Sequence, residues 1–275
     1  MITFNFKLKE LKDICPWGSK ETGYSLSWFG LTDAFYWISI DKYELLRYTE
    51  DYLEQIDWKE TLPYVDYQFA RILWDFLEIL PNVAVSVPDE IYEKISSIDG
   101  LLRYEKTINY WLNEIWNEED EEYDEKYVPA SSWLYKRMLD SGYLLNAPRI
   151  FFIRNKNKIT IYWFCNYKND KGTQVWSETQ GHFTMDFSEF IDNISKSFSF
   201  FFCEMEEQVG EAFIAWPFDD VYIDFELLKE SQIKFRNDMD QTISLIKNGI
   251  IKDDTHWENI CKSVTNIVQD VDEHG

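Results

Sequence analysis

A chain of 275 residues with 45% apolar and 18% aromatic content can bury roughly three quarters of the surface its unfolded form exposes, which excludes a disordered acidic tail. Asp and Glu outnumber Lys and Arg by 50 to 27, a formal charge of −23. That charge repels phosphate backbones and anionic headgroups and attracts basic proteins, so no direct nucleic-acid contact and no membrane is expected among the ligands. Solubility alone also accounts for an acidic surface.

The opening MITFNFKLKELKD lacks a secretory pattern. FSFFFC at 198–203 is far short of the roughly 20 apolar residues that cross a bilayer, and the expected compartment is the cytoplasm. Cys15, Cys165, Cys203 and Cys261 form no CxxC pair, so reduced, partly buried thiols are expected.

In chain order, ITFNF (2–6) alternates as a first strand and KLKELKD leads on as a polar connection, punctuated by Pro16-Trp17-Gly18. Residues 35–40 and 44–48 read as a hairpin about Asp41-Lys42, so the dense aromatics of SWFGLTDAFYWISI are scaffold buried between layers. Asp33, at the head of that strand, is read as a turn cap, with a buried acid as the alternative.

The period then changes. Val65, Phe69, Ile72, Leu73, Phe76, Ile79 and Leu80 recur at helical spacing, with Pro81 as the stop. DEIYEKISS and LLRYEKTINYWLNEIW continue the helical pattern.

At 118–126 the sequence is EEDEEYDEK, seven acids and one Lys around a Tyr. It is too polar for a core, and reads as a solvated loop or frayed helix end. A junction between subregions would fall at 118–128 of what is otherwise one α+β domain, 1–275. Read functionally, Glu118, Glu119, Asp120, Glu121, Glu122, Asp124 and Glu125 supply attraction, and Trp116, Tyr123 and Tyr127 supply anchors, on a partner-binding surface.

Beyond Pro129, SSWLYKRMLDSGYLL reads as a Ser-capped helix ending near Ser141-Gly142. Residues 150–154 and 159–164 form a second hairpin about Asn155–Lys158, and GTQVWSETQGHFTMD reads as two short strands turning at Thr179-Gln180-Gly181. Asp186 caps a long helix that has a potential break at its phenylalanines. A helix ending at Gly249 and a final helix carrying Trp257, Ile260, Val264 and Ile267 complete the chain. The fold class is α+β, with antiparallel sheet regions packed against several amphipathic helices, and Trp37, Phe69, Phe76, Phe151 and Tyr162 are expected in the main core.

His182, His256 and His274 are far apart, and no HExxH, GxSxG, GxxxxGK or GxGxxG motif occurs. No metal, cofactor or catalytic residue is therefore assigned. Asp220 and Asp224, four apart, are the better carboxylate pair. An enzyme reading would use Asp33, Asp220 or Asp224 beside a Trp-lined pocket, and a general regulatory interaction is a third alternative.

PWG at 16–18, SWFGLTDAFYWI at 27–38, ELLRY at 44–48, ARILWDFLEILPNV at 70–83, LDSGYLLNAPRIFFIR at 139–154 and ITIYWF at 159–164 stand together. With these PWG, WFxLTD and GYLxxAP elements, most of the chain resembles a bacterial domain-of-unknown-function family; the acidic 118–126 run is particular to this sequence. Proteins of this kind can accompany bacterial toxin genes as immunity proteins. What the resemblance implies, together with the charge, is a cognate toxin as partner, bound stoichiometrically and without cofactor or turnover.

Overall fold

The computed structural model describes residues 1–117 and 122–274. Its strands are β1 (Ile2–Leu8), β2 (Trp17–Ser19), β3 (Gly23–Leu26), β4 (Asp33–Ile40), β5 (Tyr43–Leu45), β6 (Val65–Gln68), β7 (Met138–Leu139), β8 (Arg149–Asn155), β9 (Lys158–Phe164), β10 (Gln180–Asp186) and β11 (Val221–Ile223). Its helices are α1 (Trp28–Leu31), α2 (Glu50–Gln55), α3 (Phe69–Ala84), α4 (Asp89–Ile95), α5 (Ile98–Tyr110), α6 (Val128–Tyr135), α7 (Phe187–Ala215), α8 (Phe225–Lys247) and α9 (Trp257–His274). The fold is a mixed α+β one with antiparallel sheets packed against helices.

In the first sheet β4 pairs antiparallel with β1, β5 and β6. Ala34, Tyr36, Ile38 and Ile40 are buried on one face of β4, as the period of two requires. On the other face Trp37 is only half-buried, stacked on Tyr64 at 4.1 Å, which corrects its expected place in the main core. The second sheet runs β10-β9-β8-β7. Its alternation divides two cores. Ile150, Phe152, Ile161 and Trp163 face a cluster shared with α3 and α7, whereas Phe151, Ile153 and Tyr162 face one built from α4, α5, α6 and α9. Both faces of this sheet are covered, hence its near-continuous apolar strands. Phe69 and Phe76 lie in the first cluster, Phe151 and Tyr162 in the second. The second cluster also joins residues from either side of 118–128, among them Trp111 and Ala130.

Several local expectations are corrected by tertiary contacts. The WFG of the opening motif is a helical turn, α1, capped by the Ser27 hydroxyl, which accepts from the Gly30 N–H. Residues 65–68 form β6 rather than the start of a helix. Thr32 begins α3 instead, its carbonyl accepting from Phe69 N–H at 2.8 Å and its hydroxyl from Ala70 N–H at 3.1 Å. Pro81 sits inside α3, which continues to Ala84; a proline forfeits one hydrogen bond, while the burial of Leu80, Val83 and Ala84 holds the last turn. α6 starts at Val128 and stops at Tyr135, so Met138–Leu139 can pair with β8. Residues 180–186 are one strand, and Gly181 lies within it because a Cβ there would meet the Trp163 ring at 2.3 Å. α7 runs unbroken through its phenylalanines.

Candidate partner-binding surfaces

The described part of the acidic segment, from Glu122 onward, is held by α9. α5 continues as a π turn, Trp111–Ile115, and a second π turn, Tyr123–Tyr127, leads into α6. The Trp111 indole N–H donates to Asp270 Oδ2 at 2.8 Å, and Lys126 Nζ lies 2.8 Å from the same oxygen and 3.1 Å from Glu122. The Ser263 hydroxyl donates to the Glu125 carbonyl at 2.9 Å. α9 thereby fixes a stack in which Tyr123 is 5.2 Å from both Trp116 and Tyr127. Glu122, Tyr123, Asp124 and Glu125 are exposed, while Trp116 and Tyr127 are half-buried. Glu118, Glu119, Asp120 and Glu121 lie outside the described residues.

A second surface escapes the sequence reading. Val209, Gly210, Phe213 and Ile214 of α7 and Gln232 and Ile233 of α8 line a groove of about 480 Å³. Phe213 is 58% exposed, Ile214 84% and Ile233 60%. A Cβ on Gly210 would meet nothing within 4 Å, so the floor is open. Tyr222 and Leu227 nearby in sequence are also largely exposed. The charged residues that line the groove are Glu206, Lys229 and Arg236, with Arg236 3.4 Å from Glu206 and Lys229 3.6 Å from Glu226.

The signal for this groove is a break in helical period. The buried face of α7 runs through Phe198, Phe201, Phe202, Met205, Val209 and Ala212; Phe213, four residues after Val209, prolongs that stripe yet is exposed, and Ile214 stands off it. In α8 the buried positions are Leu228, Gln232, Met239, Ile243 and Ile246, and Leu227 and Ile233 depart from them. Apolar residues on the outer face of an otherwise periodic helix mark a surface awaiting cover.

The carboxylates considered for chemistry are otherwise engaged. Asp33 is not chiefly a turn cap. Burial raises its carboxyl, and Lys9, 3.4 Å away and also 2.6 Å from Asp66, opposes that shift. Asp224 caps α8 by accepting from the Leu227 N–H, and Asp220 is exposed. The most perturbed carboxyl is Asp75 on α3, pushed up to about 7 by burial; Arg71, its Nε 3.2 Å away, opposes and Asp140 adds to the shift. Arg71 is shared with Asp140 at 3.3 Å and lies 5.2 Å from the centre of the Tyr143 ring. Among the described residues no group of three or more His, Cys, Asp or Glu is placed to hold a metal ion. Nor among them is any helix long and apolar enough to cross a membrane.

Residues 3–263 match a family described as "Family of unknown function (DUF5984)". The chain belongs to this family. No curated protein and no solved structure matches it.

Proposed function

We propose that this member of the family is a cytoplasmic binding protein that neutralises a basic bacterial toxin by stoichiometric occlusion, without cofactor or turnover. The observation that carries this reading is the α7–α8 groove, an exposed apolar surface on a strongly acidic chain. Soluble proteins rarely leave such a patch uncovered unless something docks on it. A charge of −23 selects a basic occupant and accelerates encounter, whereas desolvated rings and aliphatic side chains slow dissociation. A toxin that acts on a polyanion needs a basic surface, which is the surface such a protein would cover. The acidic segment around Tyr123 extends the attractive field.

The test is co-purification with the products of neighbouring genes, followed by growth rescue of cells expressing the partner found. Rescue by the wild-type chain and its loss in an Ile214→Ser/Ile233→Ser variant that remains folded is the expected result. Rescue undiminished in that variant removes the groove from the mechanism, and failure of every neighbouring product to bind removes the toxin reading.

A further inference from the structure

Arg137 is a buried cation whose guanidinium is only partly satisfied. The residue is 1% exposed and, among the described residues, in no ion pair. Its Nη1 donates to the Trp133 carbonyl at 2.6 Å, but Nε and Nη2 are buried with no hydrogen-bond partner among the described residues. Those two N–H groups form one edge of the planar guanidinium, the edge whose spacing matches the two oxygens of a carboxylate or phosphate. The ring centres of Trp133 and Trp257 lie 5.8 and 5.4 Å from the guanidinium carbon, a favourable environment for a cation but one that supplies no oxygen acceptor. Burial depresses its pKa to about 10, and the Asp253 carboxylate opposes that only in part. An uncompensated buried charge is strongly unfavourable, so this arrangement has an unfilled requirement.

Arg137 lines a cleft of about 480 Å³ between α3, α6 and the start of α9. Lys136, Lys252 and His256 also line it, against one acid, Asp254. In a chain of net charge −23, Arg137, Lys136 and Lys252 outnumber the acid in this lining. Neither Lys136 nor Lys252 is in an ion pair among the described residues. The walls are apolar, from Pro81, Val85, Val128, Trp133 and Ile260. α9 begins at this cleft, adding the positive end of its dipole. The cleft lies where the two cores meet, a common location for small-molecule sites.

We propose that this cleft binds a small organic anion, with a carboxylate or phosphate held by the free edge of Arg137, Lys136 and Lys252 at the mouth, and an apolar body against the Pro81–Val85 and Ile260 walls. Nε and Nη2 are closed to solvent in this conformation, so an anion reaches them only when the cleft lining moves. Within that lining, residues 251–256 lie outside every helix and strand, and Asp253 accepts from the Thr255 N–H and from the Trp257 indole N–H. The site is separate from the α7–α8 groove and does not depend on the toxin reading.

Thermal unfolding and tryptophan fluorescence of the full chain, at constant ionic strength, test this with three probes: phenyl phosphate, benzoate and inorganic phosphate. Phenyl phosphate or benzoate should raise Tm saturably and alter the emission of Trp133 and Trp257, and which of them binds more tightly separates phosphate from carboxylate recognition. Arg137→Met should abolish the response, and Lys252→Gln, at a mouth position that folding does not require, should raise the half-saturating concentration about three- to ten-fold. The proposal is overturned by no saturable response to any probe, by a response to inorganic phosphate alone, or by a half-saturation unchanged in Lys252→Gln.

Discussion

Phe76→Ala is the substitution whose cost the structure defines best. Phe76 is fully buried, and its ring centre lies 5.0 Å from Phe4 of β1, 5.3 Å from Phe152 of β8, 5.9 Å from Phe198 and 6.3 Å from Phe190 of α7. It therefore joins both large sheets to the long helix. Burying at least about 150 Å² of aromatic surface at ~25 cal/mol per Å² contributes about 4 kcal/mol. Its neighbours are held by three different elements and cannot easily collapse into the void, so the expected loss is about 4–5 kcal/mol. Urea unfolding followed by tryptophan emission measures it, with an unchanged m-value as the check that the unfolding transition is the same. Trp37→Ala is the internal control: half-buried against Tyr64, it should lose about 1–2 kcal/mol. A Phe76→Ala loss below about 1 kcal/mol, or one no larger than that of Trp37→Ala, refutes the packing argument.

Asp75, with a folded-state pKa of about 7 against 3.8, holds its proton longer folded than unfolded. Its contribution to stability is therefore present below pH 4 and lost as pH rises to about 7, and Asp75→Asn should flatten that part of a stability–pH profile, a difference of at most about 4 kcal/mol. Gly181→Ala should destabilise by about 1–3 kcal/mol in denaturant titration, because its methyl would enter the Trp163 ring. Replacing Glu118, Glu119, Asp120, Glu121, Glu122, Asp124 and Glu125 by amides should slow partner association more than it speeds dissociation, with the wild-type advantage shrinking as salt rises; surface plasmon resonance at two ionic strengths reads both rates.

Much of this fold is legible because period and burial coincide. β8 and β9, α4, α8 and α9 follow from spacing alone, whereas Asp186, read as the cap of α7, stands at its N-terminus without a side-chain cap hydrogen bond. The failures share a cause, namely partners distant in sequence. The N–H of Phe69 is claimed by Thr32, which lets β6 stop and α3 start within one apolar run. Gly181 reads as a turn because its reason, the Trp163 ring, lies across a strand pair. Trp37 looks like core because its sequence neighbours are core, but its own face of β4 is covered only in part. As for the site, charge density drew the reading to 118–126, whereas the groove is marked only by Ile214, Leu227 and Ile233 standing off their helical stripes. Arg137, one basic residue in a helical run, carries no sequence signal at all; its significance comes from the partners it lacks.

The most direct measurement is the dissociation rate of the purified chain from the basic partner that it protects cells against, compared between wild type and Ile214→Ser/Ile233→Ser. Both side chains are largely exposed, so the folding stability of each single change should stay within about 0.5 kcal/mol of wild type. If the groove is the docking surface, dissociation accelerates at least about ten-fold, the worth of a single anchor residue, with little effect on association. An unchanged dissociation rate from a folded variant would contradict it.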